Sequence, residues 1–296
     1  MLIKRGVCGF LLLMLCGFGV ATAAEYRIGV LAKNGPAKAM KKWAATAEYL
    51  SAARSGDSFR IVPLGFDEVF PAVEKADVDF FLVNSSMFVT AQVRFGAEPV
   101  ATMINSRQGK PLKAFGGVIF TYVTQDAING LEDIKGKRFW AVKNSSFGGW
   151  QMAYKELMDQ GIDPMADFAA VEFGKKHDNV VYAVQNGEAT AGTVRSDTLE
   201  RMAAAGDIDL AEFKILNQRS HAGFPFVTST PLYPEWPFAK VESVPDEVAD
   251  SVAEALLAMP PDSPAAKQAK VVGWTQALDY GPVEDLQESL GVGAYQ

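Results

Sequence analysis

The sequence predicts an α/β protein of two lobes, each a mostly parallel sheet with flanking helices, joined by two chain crossings. Three observations predict it. Strand-like and helix-like runs alternate along the chain in two successive series. Two apolar segments, one carrying a Gly pair, stand where the chain would pass between the series. Removing a 24-residue leader from 296 residues leaves 272, enough for two ordinary domains.

The first series opens with Tyr26 to Leu31 as a strand, followed by a helix from Pro36 that includes Met40, Trp43, Ala44, Ala47 and Leu50. Phe59 to Leu64, Phe80 to Val83 and Pro99 to Ile104 read as further strands, with helices over Phe66 to Lys75 and Ser85 to Phe95. The second series has strands at Arg138 to Val142, Ala169 to Phe173, Thr190 to Val194 and Phe213 to Leu216. Its helices fall near Trp150 to Gln160, Asp178 to Gln185 and Asp197 to Ala205. A β-α-β-α rhythm favours parallel strands with covering helices. The crossings are expected at Phe115 to Val123 and Phe224 to Thr230, and helices at Asp246 to Ala258 and Ala265 to Thr275 return to the first lobe. The expected lobes are residues 25–117 with 221–296, and residues 118–220. Two lobes on two crossings make a hinged clamp with a ligand cleft between them.

The N-terminus has the composition of an export signal. Lys4 and Arg5 precede the uncharged apolar run Gly6 to Val20, and Ala21 to Ala24 offers small residues for cleavage. Residues 1–24 are therefore expected to be removed on export to the periplasm. Cys16 follows the bulky Leu15, which argues against lipidation. Both cysteines, Cys8 and Cys16, lie in this leader, so the rest of the chain must be held by its core rather than by disulfides.

The formal charge is −7, and −9 once Lys4 and Arg5 are gone. Basic runs are absent; Lys41-Lys42 and Lys175-Lys176 are isolated doublets that read as solvated. This argues against nucleic acid as a partner. An anionic small ligand is compatible with an acidic chain, because a site is built from local donors. No zinc-protease, Walker A or Gly-x-Ser-x-Gly pattern occurs, so no enzyme, metal or cofactor is expected.

The strongest local signal is Asn144-Ser145-Ser146-Phe147-Gly148-Gly149-Trp150-Gln151, where a strand hands over to a helix. The first N–H groups of a helix lack internal partners and carry partial positive charge. Ser145, Ser146 and the backbone of Phe147, Gly148 and Gly149 could seat an oxyanion there, or the serines could simply cap the helix. Asn84-Ser85-Ser86 holds the same position after Val83, with the same two readings. Lys33-Asn34-Gly35 follows the first strand as a weaker candidate. Thr193 and Arg195 end a strand that points toward the expected cleft. Arg195 would bind an oxyanion through its planar fork, or pair with Asp197 or Glu200. Trp150 is the tryptophan expected nearest the cleft.

Longer stretches carry a family resemblance: Phe115 to Thr121, Gly148 to Ala153, Gly161-Ile162-Asp163-Pro164, Gly192 to Glu200 and Leu232 to Phe238. In this order they resemble the phosphonate/phosphite-type periplasmic substrate-binding proteins of ABC transporters, which have the type II periplasmic-binding fold. The wording is still more similar to the sensor domain of tetrathionate-sensing histidine kinases. Those kinases continue into a membrane helix and kinase core that this sequence does not include, so the resemblance implies binding and leaves the downstream route open. It implies that Ser145, Ser146 and His177 hold a small anion, with His177 otherwise a helix-start histidine bonded to backbone. His221 has no motif behind it and reads as structural. The implied partners are a small anionic ligand and either an ABC permease or a separate sensor kinase, with the protein itself a monomer.

Overall fold

A computed structural model describes residues 23–296; the leader features Lys4, Arg5, Cys8 and Cys16 lie outside the described residues. Among the described residues no helix is long and apolar enough to cross a membrane.

The first sheet runs, in spatial order, Val271–Gln276, Glu98–Arg107, Pro237–Lys240, Phe80–Leu82, Glu25–Leu31 and Ser58–Leu64, with Lys110–Leu112 added beside Glu98–Arg107. The second runs Phe213–Leu216, Gly117–Tyr122, Ala191–Arg195, Arg138–Ala141 and Ala170–Phe173. Helices cover both faces, and the molecule is a two-lobed α/β protein.

Both sheets are mixed rather than mostly parallel. Glu25–Leu31 pairs in parallel with both its neighbours, but Pro237–Lys240 and Val271–Gln276 join the first sheet antiparallel. In the second, Gly117–Tyr122 runs antiparallel to Ala191–Arg195 and to Phe213–Leu216. The cause is the connectivity. Pro237–Lys240 and Gly117–Tyr122 arrive from the other lobe and are free of the crossover rule that makes a β-α-β unit parallel, while Val271–Gln276 follows Pro237–Lys240 through helices and keeps its direction, so it too opposes Glu98–Arg107.

The C-terminal region also departs from expectation. The helix read over Ala265 to Thr275 ends at Ala269, where Lys270 takes a left-handed conformation at φ 53°. Val271-Val272-Gly273-Trp274-Thr275-Gln276 continues as a strand, as its β-branched and aromatic content favours. A further helix, Gly281–Leu290, follows.

The chain crosses between the sheets at Phe115 to Gly117 and at Ser229 to Pro234. Ala114–Phe115 and Tyr233–Pro234 pair as a two-stranded ribbon. The Gly117 amide donates to Thr230 Oγ1 at 2.9 Å, and the Ile119 amide to Ser229 Oγ at 2.8 Å. The Gly pair permits this contact: a Cβ on Gly116 would meet the Thr228 methyl at 2.8 Å. Phe224 to Thr228, read as part of the crossing, instead forms a loop that precedes it, tied by the bridge between Arg219 and the buried Thr228.

One core is built on the first sheet around Phe80, Phe81, Phe88 and Phe238, all fully buried. The second sheet is packed on both faces, by Phe120 and Val180 on one side and by Phe139, Trp150 and Leu157 on the other.

Candidate functional site

A cleft of about 900 Å³ opens beside the crossings. One wall comes from elements of the first sheet: Lys33, Lys42, Asn84, Asn105, Arg107 and Trp236. The other comes from the second: Ser146, Phe147, Gly148, Lys175, Lys176, His177 and Arg195.

The strand–helix junction at Ser146 has an unusual form. Phe147–Gln151 is a single π-helical turn that feeds the α-helix Met152–Asp159, and such turns recur at functional sites. The glycines seat it tightly. A Cβ on Gly149 would stand 2.5 Å from a Val142 methyl, and one on Gly148 2.8 Å from the Phe115 ring. Ser146 sits at the N-cap, but its hydroxyl makes no capping bond. It lines the cleft instead, which removes the simple capping role from this residue.

Asn84 does cap its helix, accepting from the Met87 amide at 3.0 Å. Its Nδ2 also donates to the Ser145 carbonyl at 3.3 Å, which ties the two walls together across the cleft.

His177 opens the helix His177–Gln185. Its Nδ1 accepts from the Arg195 amide at 3.2 Å, so the neutral ring carries its proton on Nε2 and offers a donor. Burial, together with the charges of Lys33, Arg195 and Arg107, pushes the His177 pKa well below its ordinary value.

Arg195 is 6% exposed and lies over the Phe115 ring, 4.0 Å from its centroid. Its Nη1 donates to Glu235 Oε2 at 3.3 Å, and its Nη2 makes a closer bond to Oε1. Burial disfavours the charge, but the Glu235 carboxylate outweighs it and holds the guanidinium above its usual pKa. Glu235 itself is fully buried; burial would raise its pKa, and Arg195, Arg107 and the Asn105 amide at 2.8 Å hold it low. Asp197 stands between Arg195 and Arg107, at 3.7 and 3.5 Å. Its backbone is left-handed at φ 71°, a conformation Asp tolerates better than most residues. The partners of Arg195 are thus Glu235 and Asp197; Glu200 plays no part in its ion pairs.

Two lysines face this group. Lys33 Nζ lies 4.9 Å from the centre of the Trp236 ring, and Lys42 Nζ 4.8 Å from Trp43. Lys33 is exposed to solvent within the cleft but stands between its walls, and the partial loss of water there, with Arg107 and Arg195 nearby, lowers its pKa to about 7. Burial and Arg107 lower Lys42 to about 8. The sum of formal charges over Lys33, Lys42, Arg107, Arg195, Asp197 and Glu235 is +2 with both lysines protonated.

The wider cleft keeps that sign. Its lining holds eleven Lys and Arg against two Asp, in a chain whose net charge is −7. The doublets Lys41-Lys42 and Lys175-Lys176, read as solvated, both reach it. Sequence reasoning also missed Asn105, Arg107, Glu235 and Trp236. Their positions at strand ends were the available signal for Asn105 and Arg107.

Five candidates do not line the cleft. Ser85 is buried and donates to the Pro234 carbonyl at 2.6 Å. Ser86 accepts from Gln287 of the C-terminal helix at 2.7 Å. Thr193 is fully buried inside the second sheet, with no partner for its hydroxyl. Gly149 packs on Val142, and Ser145 contributes only its carbonyl to Asn84. Trp150 stacks on Tyr154 at 5.0 Å in the core; Trp236 is the tryptophan of the cleft. His221 bonds Thr228 Oγ1 at 2.9 Å, a structural contact.

Comparison with known proteins agrees with this architecture. The chain is 32% identical over 240 residues to the tetrathionate sensor histidine kinase TtrS of Salmonella typhimurium, covering 81% of this chain and 40% of that protein. Among solved structures, PhnD1 from Prochlorococcus marinus in complex with methylphosphonate superposes with a TM-score of 0.69 at 15% identity, over 90% of this chain and 98% of that one. A Xanthomonas citri protein bound to ATP gives 0.71 at 16% identity, over 89% and 94%. A binding component of an ABC phosphonate transporter from Pseudomonas aeruginosa gives 0.67 at 15% identity, over 90% and 86%. These likenesses show the fold. Residues 28–280 match the family described as "ABC transporter, phosphonate, periplasmic substrate-binding protein", and the chain belongs to that family.

Proposed function

We propose that this protein captures a small oxyanion, phosphorus- or sulfur-based, in the cleft and passes it to the permease of an ABC importer in the periplasm. Residues 25–117 with 221–296 would form one jaw and residues 118–220 the other. The observation that carries the reading is the contrast between an acidic chain and a cleft lined by eleven basic side chains. Positive potential in a walled cleft concentrates anions and speeds their entry.

In this reading Lys33 and Lys42 supply the uncompensated charge, and Arg107, paired with Asp197, adds a further donor. Ser146, the N–H groups at Phe147 and Gly148, the His177 Nε2–H and Asn84 are the fixed donors. Arg195, neutralised by Glu235, braces His177 and leaves its Nε toward Asp197. The role is binding without turnover, as for the family. A thermal-shift screen of phosphate, phosphite, methylphosphonate, sulfate, thiosulfate and tetrathionate tests it. At 100 times Kd a ligand stabilises the fold by about 2.7 kcal/mol, a shift of roughly 5–10 °C. No shift with any of these anions contradicts the reading.

A second reading is favoured by the likeness to TtrS. The same captured anion would be presented to a separate membrane sensor kinase rather than to a permease. Binding to the extracytoplasmic part of such a kinase, only when the anion is present, distinguishes the two.

A further inference from the structure

The loop between the strand Arg138–Ala141 and the π-helical turn meets the opposite wall at three places. At its buried end Phe147 belongs to the core of the first sheet and stands edge-on to Tyr233 and Phe115 of the crossings, with ring centroids 5.2 and 6.0 Å away. In the middle, the Ser145 carbonyl accepts from Asn84. At its exposed end the Lys143 ammonium lies 4.3 Å from the centre of the Phe66 ring and 3.8 Å from Asp67 Oδ1. Phe66 and Asp67 follow the strand Ser58–Leu64, so this last contact joins the second sheet's wall to the first sheet's at the surface.

The Lys143 contact differs from the other charged bridge between the walls. Arg107 and Asp197 also meet across the cleft, but both line it, and Asp197 is shared with Arg195. Lys143 and Asp67 lie outside the cleft lining. Their contact runs directly from one protein group to another and leaves every cleft donor free. Asp67 is fully exposed, so the contact has little part in the packing of either core.

We propose that Lys143 is a latch that holds the cleft closed from outside the anion site and so sets how fast a captured anion leaves. This rests on the oxyanion reading and deepens it. Contacts beside the crossings, such as that of Phe147, change little when the walls turn about those crossings; contacts at the rim must break. Opening therefore parts the Lys143 ammonium from the Phe66 ring and from Asp67. An exposed cation–π contact and an exposed ion pair together favour the closed form by about 3- to 30-fold. An anion enclosed by both walls leaves through the open form, so release accelerates by the same factor when the latch is lost.

The test is stopped-flow dilution of the protein loaded with sulfate or with inorganic phosphate, read by tryptophan fluorescence, since Trp236 lines the cleft. Lys143→Ala should release the anion about 3- to 30-fold faster than the parent. Lys143→Arg keeps a cation for the ring and the carboxylate, and should stay within about twofold. Asp67→Lys separates the latch from plain attraction. It turns a negative charge at the rim into a positive one, which by attraction alone slows the loss of an anion; a broken latch speeds it, by at least about twofold. Melting temperatures equal to the parent's show that the variants keep the fold. The chain from residue 25 onward has no cysteine, so spin labels on Glu74→Cys and Glu188→Cys, two exposed sites on opposite sides of the cleft, report the walls directly. In the anion-free protein Lys143→Ala should enlarge a second distance population. Release from Lys143→Ala as slow as from the parent, or slower release from Asp67→Lys, overturns the latch and leaves oxyanion capture intact. If neither anion binds, capture fails, and the label distances decide the latch alone: distributions that Lys143→Ala leaves unchanged overturn it.

Discussion

Arg195 and Glu235 form a doubly hydrogen-bonded ion pair that joins the end of a second-sheet strand to the returning crossing. Both side chains are buried, and Asn105 satisfies Glu235 from the first sheet. The pair therefore links both sheets at the back of the cleft. Removing one member of a buried pair leaves the other charge unpaired, which typically costs about 3–5 kcal/mol. Arg195→Ala should lower the melting temperature by roughly 6–20 °C, using about 2–4 °C per kcal/mol. Thermal unfolding by circular dichroism measures this. A variant that melts with the parent shows that the pair does not brace the fold.

Lys33 is the most direct source of free positive charge in the cleft. Losing a charge-assisted hydrogen bond typically costs about 1.5–3 kcal/mol, or roughly 10- to 150-fold in affinity. Lys33→Gln should weaken binding of the anion that stabilises the protein most by that order, with little change in melting temperature of the free protein. Titration calorimetry reads the first and calorimetric melting the second.

Ser146→Ala should have a smaller effect. It removes one neutral donor and leaves the helix opening and both glycines in place, so a loss of about 2- to 12-fold is expected. Equal affinity in the variant would mean that the backbone N–H groups do the work at this junction without the hydroxyl.

Binding should depend on pH in a defined direction. In the free protein Lys33 titrates at about 7 and Lys42 at about 8, and a bound anion favours their protonated forms. Below pH 7 both are charged before the anion arrives, and affinity is full. Above 7 and then 8, binding must take up protons, so affinity falls by up to tenfold per pH unit for each proton. A strong-acid dianion such as sulfate or thiosulfate avoids titration of the ligand itself. Proton uptake near pH 7.5 appears as a buffer-dependent heat of binding. His177, held neutral well below its ordinary pKa, adds no transition near neutrality.

The alternation of strands and helices was legible because each apolar run is short and ends in a turn or a cap. Phe80–Leu82 and Phe213–Leu216 are cases where composition alone sufficed. Strand direction was not legible, because it depends on which lobe a strand arrives from. The strand at Val271–Gln276 was hidden by the helical start at Pro264, and only the left-handed turn at Lys270 separates them. At the site, Ser146 and His177 were marked by the junctions they occupy. Arg195 was identified as a residue, but its partner Glu235 lies forty positions away, with no sequence link between them. The lysine doublets are solvated as read, with Lys41, Lys175 and Lys176 exposed, but that they also line the cleft was not legible, because local charge density does not show which surface faces it. Ser85 and Ser86 hold the same junction position as Ser146 in sequence, and Thr193 ends a neighbouring strand; all four are buried, and only Ser146 lines the cleft.

The central claim is that the basic cleft, and not the acidic outer surface, binds the anion. Titration of the Lys33→Gln, Lys42→Gln double variant tests it most directly, using the anion with the largest thermal shift on the unaltered protein. The expected result is a loss of at least about 100-fold in affinity, from two charge-assisted contacts of about 1.5 kcal/mol or more each, with the melting temperature of the free protein retained. Affinity equal to that of the unaltered protein would place the anion elsewhere and contradict the claim.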